Sequence, residues 1–360
     1  MWKVDLDIDI TNKYEVYKFT DDFVKELLRW AVQNRNIKTY DGILKSNIKN
    51  RLLRMVKYNA ANRDGKFIKG MITLSCCKKI ERVLRNFIFY TKNYRLILLG
   101  KLRKPEILDK RTLKEIKEFF RYLYSSMLDE EYFWRIYNPS KTYKSKKMIR
   151  EEQGENRICP YCDQHSIGSS ALSNIDHFLP ISEFPFLSIH WSNLIVSCIS
   201  CNGITIKHTN WHIPILHPYY DKIENVLLFK FKNNEQLIEV CVQDDLKRIK
   251  KGKKRGENFI KLFKYEKLYK GAWIEVESER DYLEKTLRLN YLKKGKPTLI
   301  DNVAIDILRK TVDERKIELN KKKGKQGFVK LKFDYGKEYL NREGYEFIEW
   351  LKVEKNSVPF

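Results

Sequence analysis

Apolar residues at positions 23, 24, 27, 28, 31 and 32 recur at helical spacing, which predicts a helix over 20–35 with Thr20 or Asp21 as its N-cap. Similar spacing predicts helices over 41–57, 71–90 and 112–128, with Pro105 interrupting the pattern between 95 and 111. The first ten residues alternate apolar and polar, as a strand does, and a polar stretch over 141–156 reads as a linker. Beyond residue 222, the runs 225–232 and 236–243 flank Asn233-Asn234 and predict a β-hairpin. Helical spacing returns over 256–269, 278–292, 299–320 and 337–353. The expected fold class is α+β: a mostly helical N-terminal domain over 1–150, a small central module over 151–222, and a mixed α/β C-terminal part over 223–360. Nothing in 1–150 makes the role of that domain legible.

The central module carries the chemistry. Cys159-x-x-Cys162 and Cys198-x-x-Cys201 form two knuckles. Two cysteines at that spacing can turn both sulfurs toward one tetrahedral ion, and a second pair closes the site with four thiolates. Such a site leaves no open coordination position, so a structural zinc is expected that staples the fold and takes no part in catalysis. The other three cysteines, Cys76, Cys77 and Cys241, show no ligand spacing and read as ordinary buried thiols.

Between and beside the knuckles lie Ile175-Asp176-His177-Phe178-Leu179-Pro180, Trp191-Ser192-Asn193-Leu194, and Asn202 directly after Cys201. With Cys159-Pro-Tyr-Cys162, this order of residues resembles an HNH nuclease domain, in the zinc-containing branch of the ββα-metal endonucleases. The likeness covers roughly residues 155–220. The spelling Asp-His-x-x-Pro and Trp-x-Asn-Leu, with His-Pro-Tyr-Tyr-Asp at 217–221, is most similar to HNH proteins of bacterial anti-phage systems such as the Septu type.

Phosphodiester hydrolysis needs an activated water and a cation that holds phosphate charge and assists the leaving oxygen. A histidine, largely neutral at pH 7, suits the first task. The resemblance implies that His177 is the general base, that Asp176 binds the catalytic divalent cation (Mg²⁺ or another), that Asn193 braces the loop carrying the histidine, and that Asn202 supplies a second cation ligand. At a strand end the adjacent side chains of Asp176 and His177 would face opposite ways; a kink helped by Pro180 could bring both to one phosphate. One departure stands out. The family usually places a lysine three residues after the last ligand, whereas here Gly203-Ile-Thr-Ile-Lys207 puts it five residues on. Gly203 and the β-branched run disfavour an immediate helix, which leaves His208 as an alternative ligand to Asn202. All six histidines fall between 165 and 217, but His177 alone has motif support. His165 is expected beside the zinc or exposed, His190 to pack or cap, and His212 and His217 to be structural.

The net charge of +24 fits a polyanionic partner. DNA is the expected partner, and RNA stays open as a substrate. Lysines dominate the runs, which favours phosphate attraction over base reading. The run Lys247-Arg248-Ile249-Lys250-Lys251-Gly252-Lys253-Lys254-Arg255 is the densest, and Lys250, Lys251, Lys253 and Lys254, with Lys207, are the candidate nucleic-acid contacts. No stretch approaches the length of apolar chain that spans a bilayer, and the start lacks the apolar core of a signal peptide. Cytoplasm is the expected location, in keeping with a zinc tetrathiolate. The function expected is a metal-dependent HNH endonuclease cutting DNA, in anti-phage defence or restriction, with a sensor ATPase subunit as the partner the resemblance suggests. The rival reading is a zinc-stapled nucleic-acid-binding or interaction subunit without cleavage.

Overall fold

A computed structural model describes residues 18–62, 65–102, 108–138, 145–147, 150, 157–243, 250–294 and 301–357. The strand expected over 1–10, the break at Pro105 and most of the expected linker lie outside the described residues, as do residues 247–249 of the basic run. The fold class is α+β and mostly helical, with two separate two-stranded antiparallel sheets among the described residues. Among those residues no helix is long and apolar enough to cross a membrane.

The chain divides into two units, of which one holds 157–166 and everything described from Leu216 onward, and the other the described residues before 155 together with Ile167–Ile215. The second of these begins with helices α1 (Lys18–Gln33), α2 (Tyr40–Lys45), α3 (Asn50–Ala61), α4 (Gly65–Cys76), α5 (Ile80–Lys92), α6 (Tyr94–Leu98), α7 (Lys110–Ser125) and α8 (Glu131–Tyr137). In α1, Phe23, Val24, Leu27, Leu28 and Ala31 are fully buried, which is the apolar stripe read from the sequence. That stripe packs on α4, α5 and α8. Phe23 meets Phe67 of α4 and both Phe133 and Tyr137 of α8 with ring centroids 4.8–6.4 Å apart. Helices α4 and α7 approach closely at Gly70, where a Cβ would stand 2.1 Å from the Phe119 ring.

Several expected helices are shorter than their periodicity suggested. The pattern over 41–57 is two helices, because the Ser46 N–H turns back to the Ile43 carbonyl and closes α2 before α3 starts. The pattern over 71–90 likewise breaks at Cys77–Lys79. Neither Thr20 nor Asp21 caps α1. The helix already includes Lys18, so both lie inside it, and Asp21 instead reaches His190 at 2.9 Å. Asp109 and Thr39 do cap, accepting from the backbone N–H of Thr112 and Gly42.

The same unit holds strands β1 (Ser173–His177) and β2 (Leu194–Cys198), paired antiparallel with Asp176 opposite Ile195 and His177 opposite Leu194, and then the one-turn helix α9 (Ile199–Asn202). Strand, strand and helix follow in ββα order. The excursion between the strands contains a 3₁₀ turn at Pro185–Leu187, held by both α5 and α7. Phe186 sits 5.5 Å from Phe120 of α7 and 5.7 Å from Tyr90 of α5 between ring centroids. The helical part therefore clamps the loop that returns to the site.

The other unit contains the hairpin β3 (Leu227–Lys232) and β4 (Leu237–Val242), close to its expected bounds, turned through Asn233–Glu235 with Gln236 in the left-handed region. Helices α10 (Lys250–Phe263), α11 (Tyr265–Leu268), α12 (Trp273–Lys293), α13 (Asp301–Lys321), α14 (Val329–Asn341) and α15 (Glu343–Ser357) follow. The expected helix over 256–269 breaks at Lys264, which takes a positive φ of 46°, and that over 337–353 breaks at Arg342. The first knuckle is set into this unit. The hydroxyls of Tyr265 and Tyr269 donate to the carbonyls of Tyr161 and Cys162, and buried Asp163 accepts the Lys330 backbone N–H at 2.8 Å.

Candidate metal centres and active site

The Sγ atoms of Cys159, Cys162, Cys198 and Cys201 all lie within 4.8 Å of one another, and all four residues are buried. A tetrahedral zinc with bonds of about 2.3 Å separates its sulfurs by roughly 3.8 Å, so the cluster fits that ion. The surroundings suit thiolate charge. The Cys201 N–H points at Cys198 Sγ at 3.4 Å, and His165 Nδ1 lies 3.7 Å from Cys162 Sγ. The knuckle turn itself is closed by bonds from the Cys159 N–H to the His165 carbonyl and from the Asp163 N–H to the Cys159 carbonyl. His165 thus stands beside the cluster, as expected. All seven cysteines are free of disulfides, and of the three outside the cluster only Cys77 is buried as expected, Cys241 being partly buried and Cys76 exposed.

Asp176 and His177 end strand β1. His177 is partly buried, and its Nε2 lies 2.8 Å from the Ser188 carbonyl oxygen. A carbonyl can only accept, so Nε2 carries the hydrogen and Nδ1 keeps the lone pair. The Tyr124 ring stands edge-on to the imidazole, 4.2 Å between centroids, and its hydroxyl donates to the Ile175 carbonyl at 3.3 Å. Burial pushes the His177 pKa down to about 4, against the opposing pull of the Ser188 carbonyl and the Asp176 carboxylate. The imidazole is neutral throughout the physiological range, with one nitrogen fixed as donor and the other able to accept a proton.

Asn193 is fully buried, and its four hydrogen-bonding sites are all used. Nδ2 donates to the carbonyls of Leu179 at 2.9 Å and Leu187 at 3.2 Å. Oδ1 accepts from the Leu179 N–H at 2.8 Å and from the Tyr94 hydroxyl at 3.0 Å. Its own carbonyl accepts the Phe178 N–H. One amide thereby ties both ends of the 178–188 excursion and fixes the segment that ends at Ser188.

Asp176 is 3% exposed and lies against fully buried Lys207, whose Nζ is 2.8 Å from Oδ1 and 2.9 Å from the His177 carbonyl oxygen. Lys207, a candidate nucleic-acid contact by sequence, is thus an internal partner of Asp176. The carboxylate is a hard oxygen donor suited to Mg²⁺ or a similar cation. Asn202 closes α9 and is partly buried, while His208 is exposed with a positive φ of 46° and its Nδ1 3.2 Å from the Thr209 hydroxyl.

Two further histidines are held within the fold. His190 is buried against Asp21 and 5.0 Å edge-on to the Tyr94 ring, and His217 accepts the Tyr219 N–H. In the basic run, Lys253 and Lys254 are exposed on α10, and Arg255 is engaged by Asp221. The side chains of Lys250 and Lys251 lie outside what is described. Sequence reasoning missed Ser188, Tyr124 and Tyr94. Ser188 acts through its backbone carbonyl, which no side-chain pattern signals, and the two tyrosines sit on helical apolar faces that look like plain core.

No protein-family model matches this chain, and no solved structure matches it. Two proteins share a stretch of it. The chain is 36% identical over 70 residues to the Septu protein PtuB of Bacillus thuringiensis, covering 19% of this chain. It is 39% identical over 88 residues to protein ea31 of Escherichia phage lambda, covering 23% of this chain. The matches span only 27% of the length of each relative, so the chain is similar in part to a Septu protein and to a phage protein.

Proposed function

We propose that the chain is a metal-dependent HNH endonuclease that hydrolyses DNA phosphodiester bonds, with residues 151–222 as its nuclease module and anti-phage defence or restriction as its setting. The observation that carries this is His177. It is an imidazole with its tautomer fixed by a backbone carbonyl, next to a buried carboxylate at the end of a ββα strand. His177 Nδ1 would take a proton from the attacking water. A divalent cation on Asp176, with Asn202 or His208 as a further ligand, would supply charge stabilisation at the phosphate. Asn193 keeps the Ser188 carbonyl in place. The four cysteines would hold zinc and keep the fold together. A cytoplasmic location suits that zinc site, the part-length likeness to a Septu protein supports the defence setting, and a sensor ATPase as partner rests on the motif resemblance alone.

A second reading, a zinc-stapled binding or interaction subunit without cleavage, is favoured by one observation: the Asp176 carboxylate is already neutralised by Lys207. The two separate in one experiment. Plasmid, linear duplex, single-stranded DNA and RNA are incubated with wild-type protein and His177→Ala, each with Mg²⁺, Mn²⁺ or EDTA. Cation-dependent cleavage lost in the variant supports the nuclease. Binding of nucleic acid with no cleavage in any cation overturns it.

A further inference from the structure

Lys207 is held from both ends. Its backbone N–H donates to the Cys201 carbonyl at 3.2 Å, and the turn that carries it is closed by the N–H groups of Ile206 and His208 on the Gly203 carbonyl. The side chain then runs inward, fully buried, to Asp176 Oδ1 and the His177 carbonyl. An ammonium taken out of water needs this degree of pairing to be tolerated. The residue five positions past Asn202, beyond the end of α9, thus delivers a positive charge to the carboxylate the cation would use.

We propose that Lys207 is the resident counter-charge of Asp176, a positioning residue that sets how strongly this carboxylate takes a divalent cation. The inference rests on the proposed role of Asp176 as a cation ligand. A Mg²⁺ ion binds carboxylate oxygen at about 2.0–2.1 Å. An ion on Oδ1 would stand within a few ångströms of an ammonium that is itself 2.8 Å from that oxygen. Two like charges in a buried site repel strongly, because little water screens them. A cation on Oδ1 would therefore compete with Lys207 and would be held more weakly than by the same carboxylate without that ammonium. Until then Lys207 keeps Asp176 oriented and paired.

The test is Mn²⁺ binding to the full-length, zinc-loaded protein without nucleic acid, read from the free-ion electron paramagnetic resonance signal. Lys207→Met keeps the side-chain length and removes the charge, and should bind Mn²⁺ at least tenfold more tightly than wild type. Lys207→Arg, which keeps the charge, should not. A lysine that merely braces the fold would lower the melting temperature in Lys207→Met and leave Mn²⁺ affinity unchanged, and that result overturns the proposal. Asp176→Asn separates this failure from failure of the nuclease reading. If it leaves Mn²⁺ binding intact in wild type and in Lys207→Met, Asp176 is not the cation ligand and both ideas fall. If it abolishes binding while Lys207→Met changes nothing, only the role of Lys207 falls. A wild-type measurement covers the case in which Lys207→Met does not fold. The ¹⁵N resonance of the Lys207 ammonium should shift as Mg²⁺ saturates Asp176, and an unmoved signal at saturation overturns the proposal.

Discussion

The His177 imidazole donates its Nε2 hydrogen to the backbone carbonyl of Ser188 across 2.8 Å. Eleven positions separate them in sequence, and the excursion between them is pinned by Asn193 and pressed between α5 and α7. The carbonyl cannot be removed by a side-chain substitution, so its contribution is tested through the residues that hold it.

His177→Ala should lower cleavage by roughly 10²–10⁴-fold, the usual contribution of a positioned general base. Zinc content and the far-ultraviolet circular dichroism spectrum should be unchanged. Cleavage at the wild-type rate would remove the proposed role.

The pH dependence follows from the depressed pKa of His177. Its ordinary value is 6.5 and burial brings it to about 4. The neutral base is therefore present on both sides of pH 6.5, and the cleavage rate between pH 5.5 and 8 should show no histidine inflection. Stability carries the matching sign. Between about 4 and 6.5 the unfolded chain binds a proton that the folded chain refuses, so acidification through that window destabilises the fold through this group. Carbon-detected NMR titration of the ring should place its midpoint near 4. A midpoint at 6.5 would contradict the burial account.

Asn193→Ala should destabilise by about 2–4 kcal/mol in urea unfolding, because it strands several buried partners at once. Tyr94→Phe removes one of the four bonds and should cost about 1 kcal/mol. The informative outcome is the activity of the milder variant. If Tyr94→Phe lowers kcat with KM unchanged, the brace reaches the base through Ser188.

Cys159→Ser or Cys201→Ser should abolish zinc binding and unfold at least the segment between the knuckles, since a structural zinc contributes on the order of 10 kcal/mol. Metal analysis of wild-type protein should return one zinc per chain. Active protein without zinc would refute the assignment.

Replacing Lys250, Lys251, Lys253 and Lys254 with Gln should weaken duplex binding equally for all sequences, because phosphates carry charge and no base identity. The slope of log affinity against log salt should become shallower by about 0.9 for each phosphate that the protein no longer neutralises. Arg255 is left in place because it pairs with Asp221 inside the fold. An unchanged slope would mark the start of α10 as a solvated face.

Local chemistry was legible in the linear sequence. The spacing of two cysteines fixes whether their sulfurs can meet one ion, and the four did converge. The 3.6-residue stripe of α1 and the alternating runs of the β3–β4 hairpin also follow from period alone, because each face must be buried whatever lies opposite it. Helix ends were not legible in the same way. The breaks at Ser46, Lys264 and Arg342 come from backbone turns that leave the apolar spacing nearly in register, so periodicity runs through them. The tertiary structure alone decided the electrostatics of the candidate site. His177 takes its tautomer from a carbonyl eleven residues away and its depressed pKa from burial beneath the helical part. Lys207 reads in sequence as the displaced lysine of the resemblance and a candidate nucleic-acid contact, and is instead threaded inward to Asp176. Both outcomes depend on which groups exclude water around a charge, a property of the packed surroundings that no residue carries by itself.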